Sequence, residues 1–286
     1  MGIKLSQVSF SYHPYKKETK KKKNKYVLQD VDLKINEKNE FICIVGHTGS
    51  GKSTLMQLCN ALLLPTKGEV TVFDNVITNK KHNNLKMVRK NVGLVFQFPE
   101  YQLFEETVLK DVSFGPKNYK IDNPEEKAKE ALKTIGLDDT FYERSPFCLS
   151  GGEKRKVAIS GILASDPSVL ILDEPTVGLD PFTKGELIKL LKKINQEKTV
   201  IIVTHDMNVL WEVATRVIVI DDNQIIYDGD KKKLFNDIEF VKKHSLDLPD
   251  IVSILKSIKE DLHLDLDIYQ DSIEKAAQEL LRATNE

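Results

Sequence analysis

Phe41-Ile42-Cys43-Ile44-Val45-Gly46-His47-Thr48-Gly49-Ser50-Gly51-Lys52-Ser53 is the stretch whose reading decides the fold. Five consecutive apolar residues read as a strand buried on both faces. Three glycines at alternating spacing then mark a tight turn, and the stretch Thr54 to Leu63 reads as a helix. Strand, glycine-rich turn and helix together form the phosphate-binding P-loop pattern, and that context makes an incidental glycine turn a poor explanation. Outward from it, apolar strands are predicted at Val92 to Phe96, Val169 to Leu172, Val200 to Val203 and Val217 to Ile220, with helical patterns between them. The alternation predicts an α/β protein with a parallel core sheet.

Upstream and just downstream, Val31, Leu33 and Ile35, then Val70 and Val72, alternate as half-buried strands on either side of Phe41 to Val45. They predict a mixed N-terminal sheet. A helical subdomain, about 98–165, is expected as an insertion. In it, Asn123 caps a helix with Pro124 at its first position, Glu125 and Glu126 in its first turn, and Gly136 beyond its end. This gives a nucleotide-type domain over 1–235 and a small helical C-terminal domain over 236–286, the latter a candidate for dimerisation. There Asp271-Ser272-Ile273-Glu274 has the form of a capping box, and Ile273, Ala276, Ala277, Leu280 and Leu281 form one apolar stripe expected to pack on its own domain.

Composition narrows the function classes. With 286 residues, 41% hydrophobic and 30% charged, the chain is long enough for one large core with an appendage. Its 42 basic and 43 acidic residues nearly cancel, giving no reason to propose nucleic acid as a partner. The apolar runs are far shorter than the roughly 20 residues a membrane helix needs. The segment Met1 to Phe10 lacks the apolar core of a secretory signal, so a cytosolic chain that reaches a membrane through partners is expected. Cys43, Cys59 and Cys148 show no metal-ligand spacing and read as packing residues. Lys16, Lys17, Lys20 to Lys23 and Lys25 read as a solvated hairpin loop.

The chemistry concentrates at strand ends. In the P-loop, backbone N–H groups of Gly46, His47, Thr48, Gly49, Ser50 and Gly51, with Lys52, Ser53 and Thr54 opening the helix, suit the phosphates of ATP. Lys52 reaches the β- and γ-phosphates, and the Ser53 hydroxyl suits Mg²⁺. The strand Val169 to Leu172 ends in Asp173 and Glu174. Asp173 would hold the Mg²⁺ shell, and Glu174 would orient the attacking water. A second anion site opens a helix at Leu149-Ser150-Gly151-Gly152-Glu153, where the N–H groups of Ser150, Gly151 and Gly152 are available.

A second anion site on one chain is a surplus, and with it the sequence resembles the ATP-binding-cassette ATPases over most of residues 3 to 235. Leu149 to Glu153 is similar to their signature motif. The resemblance implies ATP held between the P-loop of one subunit and the signature serine of another. It also implies that Gln97 senses Mg²⁺ and the γ-phosphate, that His205 bonds the γ-phosphate and positions water, and that Asp180 contacts the opposite subunit. An adenine-stacking aromatic is expected upstream, with Tyr12 best placed and Tyr26 a competitor. Glu153 stands where glutamine is common.

One cassette per chain, with only about a hundred residues between Gly46 and Ser150, fits neither DNA-repair nor translation members. The segment Phe96-Gln97-Phe98-Pro99-Glu100-Tyr101-Gln102-Leu103-Phe104, the stretch Phe114 to Asn118 and Leu246-Asp247-Leu248-Pro249 resemble the second-type ATPase of energy-coupling-factor transporters. That resemblance implies a heterodimer with a related ATPase, or pairing with itself, on a transmembrane coupling subunit that carries a substrate-binding membrane subunit for vitamins or metal ions. It places the chain peripherally on the cytoplasmic face of a bacterial cell membrane. Tyr101, Leu103 and Phe104 are expected to be exposed and to transmit movement. The alternative is a soluble switch or scaffold with no membrane partner.

Overall fold

The computed structural model describes residues 2–14, 25–80 and 84–285; all of the lysine run except Lys25 lies outside them. In chain order the strands are β1 (Ile3–Phe10), β2 (Leu28–Ile35), β3 (Phe41–Val45), β4 (Lys67–Val72), β5 (Asn75–Ile77), β6 (Val92–Val95), β7 (Val169–Asp173), β8 (Thr199–Val203), β9 (Arg216–Asp221) and β10 (Gln224–Gly229). The helices are α1 (Lys52–Cys59), α2 (Leu85–Asn91), α3 (Val108–Tyr119), α4 (Pro124–Ile135), α5 (Gly151–Leu163), α6 (Pro181–Asn195), α7 (Met207–Val213), α8 (Lys231–Asn236), α9 (Ile238–Lys243), α10 (Asp250–Leu262) and α11 (Ile273–Asn285).

Burial pattern sorts the strands into two sheets. In β2, Leu28, Val31, Leu33 and Ile35 are buried while Gln29, Asp30, Asp32 and Lys34 are exposed, the signature of a strand with one wet face. Such strands form a four-stranded sheet, β2-β1-β4-β5, antiparallel at every pairing. The mixed N-terminal sheet expected from the sequence is therefore corrected to an antiparallel one. β3, expected inside it, has all five residues buried and needs cover on both faces. It sits centrally in the six-stranded sheet β10-β9-β3-β8-β7-β6, parallel to β8 and β9; only the edge hairpin β9–β10 is antiparallel.

The continuous apolar runs resolve into alternating faces. Ile42 and Ile44 of β3, Val169 and Ile171 of β7, and Ile201 and Val203 of β8 point into the core shared with α1 and the antiparallel sheet. Phe41, Cys43, Val45, Leu170, Leu172, Val200 and Ile202 point the other way, onto α6, α7 and the C-terminal helices. Each such side chain removed from water contributes about 1.5–3 kcal/mol, so a polar substitution on either face is costly. Cys43 and Cys59 are buried and Cys148 is exposed. Burial pushes both buried thiols up, Cys59 to about 12, which keeps it an unreactive packing group.

The helical segment α3–α5 has its own small core of Val108, Val112, Leu132, Leu149 and Val157. Leu103 is buried in it, correcting its expected exposure, because it closes the end of that cluster beside Val108. α4 starts at Asn123 with Pro124 first and ends at Gly136 as expected, but the Asn123 side chain makes no capping bond. The chain beyond 235 is helical, and Phe235, Val241 and Val252 share the core of β3 and α7. α11 is capped by Ser272, whose hydroxyl accepts the Lys275 N–H at 3.3 Å, one residue later than the capping-box frame. Asp271 instead faces Lys231, Lys232 and Lys275 at 3.7–3.8 Å. Only Ala276 of the expected stripe is buried; Ile273, Ala277 and Leu281 are exposed and Leu280 is half-buried. Among the described residues no helix is long and apolar enough to cross a membrane.

Candidate active site

Strand register alone collects the chemical residues. Ile44 pairs with Val203, Val203 with Asp173, and Leu172 with Val95. Gly46, His205, Glu174 and Gln97 each lie two residues beyond one of these positions, so they leave neighbouring parallel strands at the same carboxyl edge. That edge is where open α/β sheets bind ligands.

The P-loop curls there because its glycines adopt backbone angles that other residues avoid. Gly46 has φ 146°, and a Cβ on it would lie 2.1 Å from the Ile220 carbonyl oxygen. Gly51 has φ 107°, and its Cβ would meet Leu28 and the Val27 carbonyl inside 3 Å. The loop is thus pressed against two neighbouring strands. Lys52 opens α1 and donates from Nζ to the carbonyls of Gly46 and His47, both at 2.8 Å. Burial, partly offset by attraction from Glu174 and Asp173, lowers the Lys52 pKa. Ser50 Oγ is buried without a hydrogen-bond partner.

Ser53 Oγ donates to Asp173 Oδ2 at 2.9 Å, joining α1 to the end of β7. Burial raises the Asp173 carboxyl, opposed by this bond and by Lys52. Glu174 follows with a left-handed backbone, φ 47°, and its N–H is fixed to the Val203 carbonyl at 3.0 Å. His205 Nδ1 donates to Glu174 Oε1 at 2.9 Å. The imidazole is 72% exposed and the carboxylate only 13%. Glu174 Oε2 is buried and unpaired, an orphan acceptor of the kind that marks a site waiting for a water or ion.

Donor chemistry tests the expected metal. Among the described residues no group of three His, Cys, Asp or Glu side chains could hold an ion. One hydroxyl and one carboxylate, both hard oxygen donors, remain at Ser53 and Asp173. Such a sparse set fits Mg²⁺, which keeps water and phosphate oxygens as its other ligands, and does not fit a protein-built zinc cage.

The remaining predicted residues lie farther out. Tyr12 OH shares a hydrogen bond with Thr54 Oγ1 at 3.1 Å, and its ring stands edge-on to Phe10. Tyr26 instead lies under the Lys67 ammonium, 5.0 Å from ring centroid to Nζ. Gln97 is exposed just past β6. Ser150 caps α5: Glu153 N–H reaches its hydroxyl at 3.4 Å, while the Glu153 carboxylate accepts the Ser150 N–H at 2.8 Å and its hydroxyl at 2.7 Å. Ser150 and Gly151 are exposed, Gly152 is half-buried, and among the described residues no hydrogen bond joins them to the P-loop. Asp180 caps α6 through the N–H groups of Phe182 and Thr183, each at 3.0 Å.

Two arrangements escaped the sequence reading. Arg155, a buried cation, binds Glu100 at 3.1 and 3.3 Å and the carbonyls of Pro175 and Val177 at 3.0 and 2.8 Å. One side chain thereby ties α5 to the turn after Gln97 and to the loop after Glu174. Only its place three residues into the helix, facing inward, could have signalled it. The other is a pair of histidines around Asp221, described below.

Known proteins share this layout. Residues 28–177 match the family model described as ABC transporter. A Streptococcus pneumoniae protein described as energy-coupling factor transporter ATP-binding protein EcfA2 is 44% identical, covering 91% of this chain and 92% of its own. A Clostridium tetani protein with the same description is 42% identical, covering 100% of this chain and 98% of its own. Among solved structures, cbiO1 of Clostridium perfringens, described as part of an ABC transporter complex, superimposes with a TM-score of 0.70 at 33% identity, covering 89% of this chain and 98% of its own. A dimeric ATP-binding cassette in a post-hydrolysis state with ADP and Pi gives 0.67 at 33% identity, covering 80% and 98%.

Proposed function

The chain belongs to the ABC transporter family, and from that premise we propose that it is the ATP-binding and ATP-hydrolysing subunit of an energy-coupling-factor importer for vitamins or other micronutrients. The observation that carries hydrolysis is Glu174: one carboxylate oxygen is held by His205, and the other is buried, unpaired and beside the P-loop. That second oxygen accepts a hydrogen bond from the attacking water and orients it. His205 fixes the carboxylate and offers its other nitrogen to the terminal phosphate. Lys52 exchanges its two carbonyl partners for phosphate oxygens, a charge-assisted replacement that favours the bound state.

Ser53, Asp173 and Gln97 are the residues that would hold Mg²⁺. When bound, the ion offsets phosphate charge and orients the terminal group for in-line attack. Tyr12, anchored on Thr54 of the P-loop helix, is the better-supported adenine platform than Tyr26. The exposed Ser150–Gly152 helix start and Asp180 belong to the opposite half of the site, completed by a related ATPase subunit or a second copy. ATP then favours the closed dimer because it satisfies both helix starts, and hydrolysis removes that bridge.

Coupling to a transmembrane subunit falls to the surface after Gln97. Tyr101 is 85% exposed, and Phe104 and Phe114 stack edge-to-face at 5.0 Å beside a groove of about 330 Å³ that Arg89 and Asn118 also line. This face would place the chain on the cytoplasmic side of the bacterial membrane, with a substrate-binding membrane subunit held by the coupling subunit. The division into 1–235, with a helical insertion, and 236–286 follows the same reading. The test is purification of tagged protein from native membranes in mild detergent, with mass spectrometry and ATPase assay. A related ATPase and a polytopic membrane protein are expected; recovery from the soluble fraction alone would remove the transporter role and leave the ATPase.

A further inference from the structure

Beyond the residues above, the first variable position of the P-loop is wired to the far end of the chain. Val45 of β3 pairs with Val219 of β9, so His47 and Asp221, each two residues on, emerge side by side. His47 Nε2 lies 3.1 Å from Asp221 Oδ1, and its Nδ1 lies 2.8 Å from the Thr48 carbonyl oxygen. Both partners are acceptors only. A neutral imidazole carries a single N–H and satisfies one of them; the doubly protonated ring satisfies both.

Asp221 is equally committed. Its Oδ1 also accepts the Asp222 N–H at 2.9 Å, and its Oδ2 takes His244 Nδ1 at 2.6 Å. His244 follows α9 directly, and its ring lies 4.5 Å from that of Phe240, itself 6.0 Å from Tyr227. The His244 bond leads the influences that hold the Asp221 carboxyl below its ordinary range. Side-chain exposure falls along the chain, 51% at His47, 18% at Asp221 and 15% at His244, so the clamp is open at the P-loop and closed at its root. The backbone agrees: the same β9 end leaves no room for a Cβ on Gly46, and the β9–β10 turn is tied to β2 through Gln29 N–H and the Asn223 carbonyl at 2.8 Å. The charged group meeting His47 from α1 is Lys52, through the His47 carbonyl.

We propose that Asp221 is a positioning residue for nucleotide binding: by gripping the protonated His47 from one side and His244 from the other, it sets the P-loop and ties its affinity for ATP to pH and to the C-terminal helices. The proposal rests on the reading that this loop binds ATP. As pH rises and His47 loses a proton, one of its two bonds is lost, the loop loosens and ATP binds less tightly. Asn at position 221 can meet a neutral imidazole as donor or acceptor, which removes the preference for the charged ring. Comparing variant with wild type at each pH cancels the titration of the nucleotide's own phosphate.

The test titrates the full-length chain with Mg-ATP by calorimetry between about pH 5 and 8, where histidine changes charge, alongside steady-state ATPase. Asp221→Asn is expected to weaken ATP roughly threefold to tenfold at the acid end, the size of one partly solvent-screened charge-assisted hydrogen bond. Its affinity should lose the wild-type pH slope while kcat at saturation stays within about twofold. His244→Phe keeps the ring packing on Phe240 and drops the donor, and should show a smaller shift in the same direction. Superimposable affinity–pH curves for wild type and Asp221→Asn overturn the proposal, and an unshifted His244→Phe overturns the link to the C-terminal helices. Lys52→Ala separates the two levels: if it binds ATP like wild type, the ATP reading of the loop itself is wrong.

Discussion

The P-loop edge and the start of α5 are both helix N-termini built to meet anions, yet they are finished differently. At the P-loop edge every charged side chain has a partner within the chain: Lys52 on two carbonyls, Ser53 on Asp173, His205 on Glu174. One buried carboxylate oxygen is left over. At α5 the Ser150 hydroxyl and N–H are exposed and satisfied only by their own Glu153. The first region is preorganised for chemistry and the second is held in reserve. The contrast explains how one chain can carry two anion sites and need both: the preorganised one binds and reacts, and the self-capped one recognises a nucleotide held by another subunit.

The sharpest way to break the contrast is at Glu174. Glu174→Gln keeps the shape and the His205 contact but loses the acceptor charge, so turnover should fall roughly 10²-fold or more with ATP binding retained. Near-normal turnover, read by phosphate release at saturating ATP, would mean the orphan oxygen is not the water-orienting group. Next comes Arg155, which joins the two regions. Arg155→Met leaves Glu100 and the Pro175 and Val177 carbonyls without their cation, and should destabilise the fold by about 2 kcal/mol, less than a fully buried pair because Glu100 retains some solvent. Denaturant unfolding measures it. Making Glu100→Leu in the same chain should return much of the loss, since the cost lies in the stranded charge; strictly additive losses would argue against a coupled pair.

A smaller effect distinguishes the two tyrosines. Tyr12→Ala should weaken ATP about tenfold, from the ~1–3 kcal/mol that an aromatic ring contributes by stacking on a base. Tyr26→Ala, which removes a ring under Lys67, should leave affinity near wild type. Reversed outcomes in equilibrium titration would move the adenine site to the start of β2.

How far the sequence carried this picture depended on range. The P-loop edge was legible because its meaning is local: an apolar run, glycines needing unusual backbone angles, and carboxylates at a strand exit each announce themselves within a few residues. Pairing between distant strands was not legible. β3 looks like part of the N-terminal sheet by position, and only its uniform burial, set by partners roughly 160–180 residues away, puts it in the parallel one. Leu103 looks exposed beside Tyr101 and Phe104, but it closes a core whose other members come from α3, α4 and α5. Arg155 and Asp221 were missed for the same reason: each draws its role from carbonyls or imidazoles far along the chain. The α5 cap is a different case. Ser150 and Glu153 have the spacing of a capping box, and the departure from glutamine drew attention away from it.

That departure gives the finest test of the opening contrast. The Glu153 carboxylate occupies the same Ser150 N–H and hydroxyl that an incoming phosphate needs, so closure of the dimer on ATP has to displace it. Being anionic and hydrogen-bonded to Ser150, which holds its pKa down, it competes with phosphate in kind. Glu153→Gln keeps the capping geometry, because glutamine serves at the same position, but gives up a charge at the helix N-terminus worth about 0.3–1 kcal/mol. Stability should therefore fall slightly while ATP-driven dimerisation tightens about twofold to fivefold. Sedimentation of the Glu174→Gln chain with and without Glu153→Gln, across an ATP titration, reads both states without turnover interfering. A weaker dimer would mean that the carboxylate supports the facing site and does not guard it, and the α5 start would then be as preorganised as the P-loop.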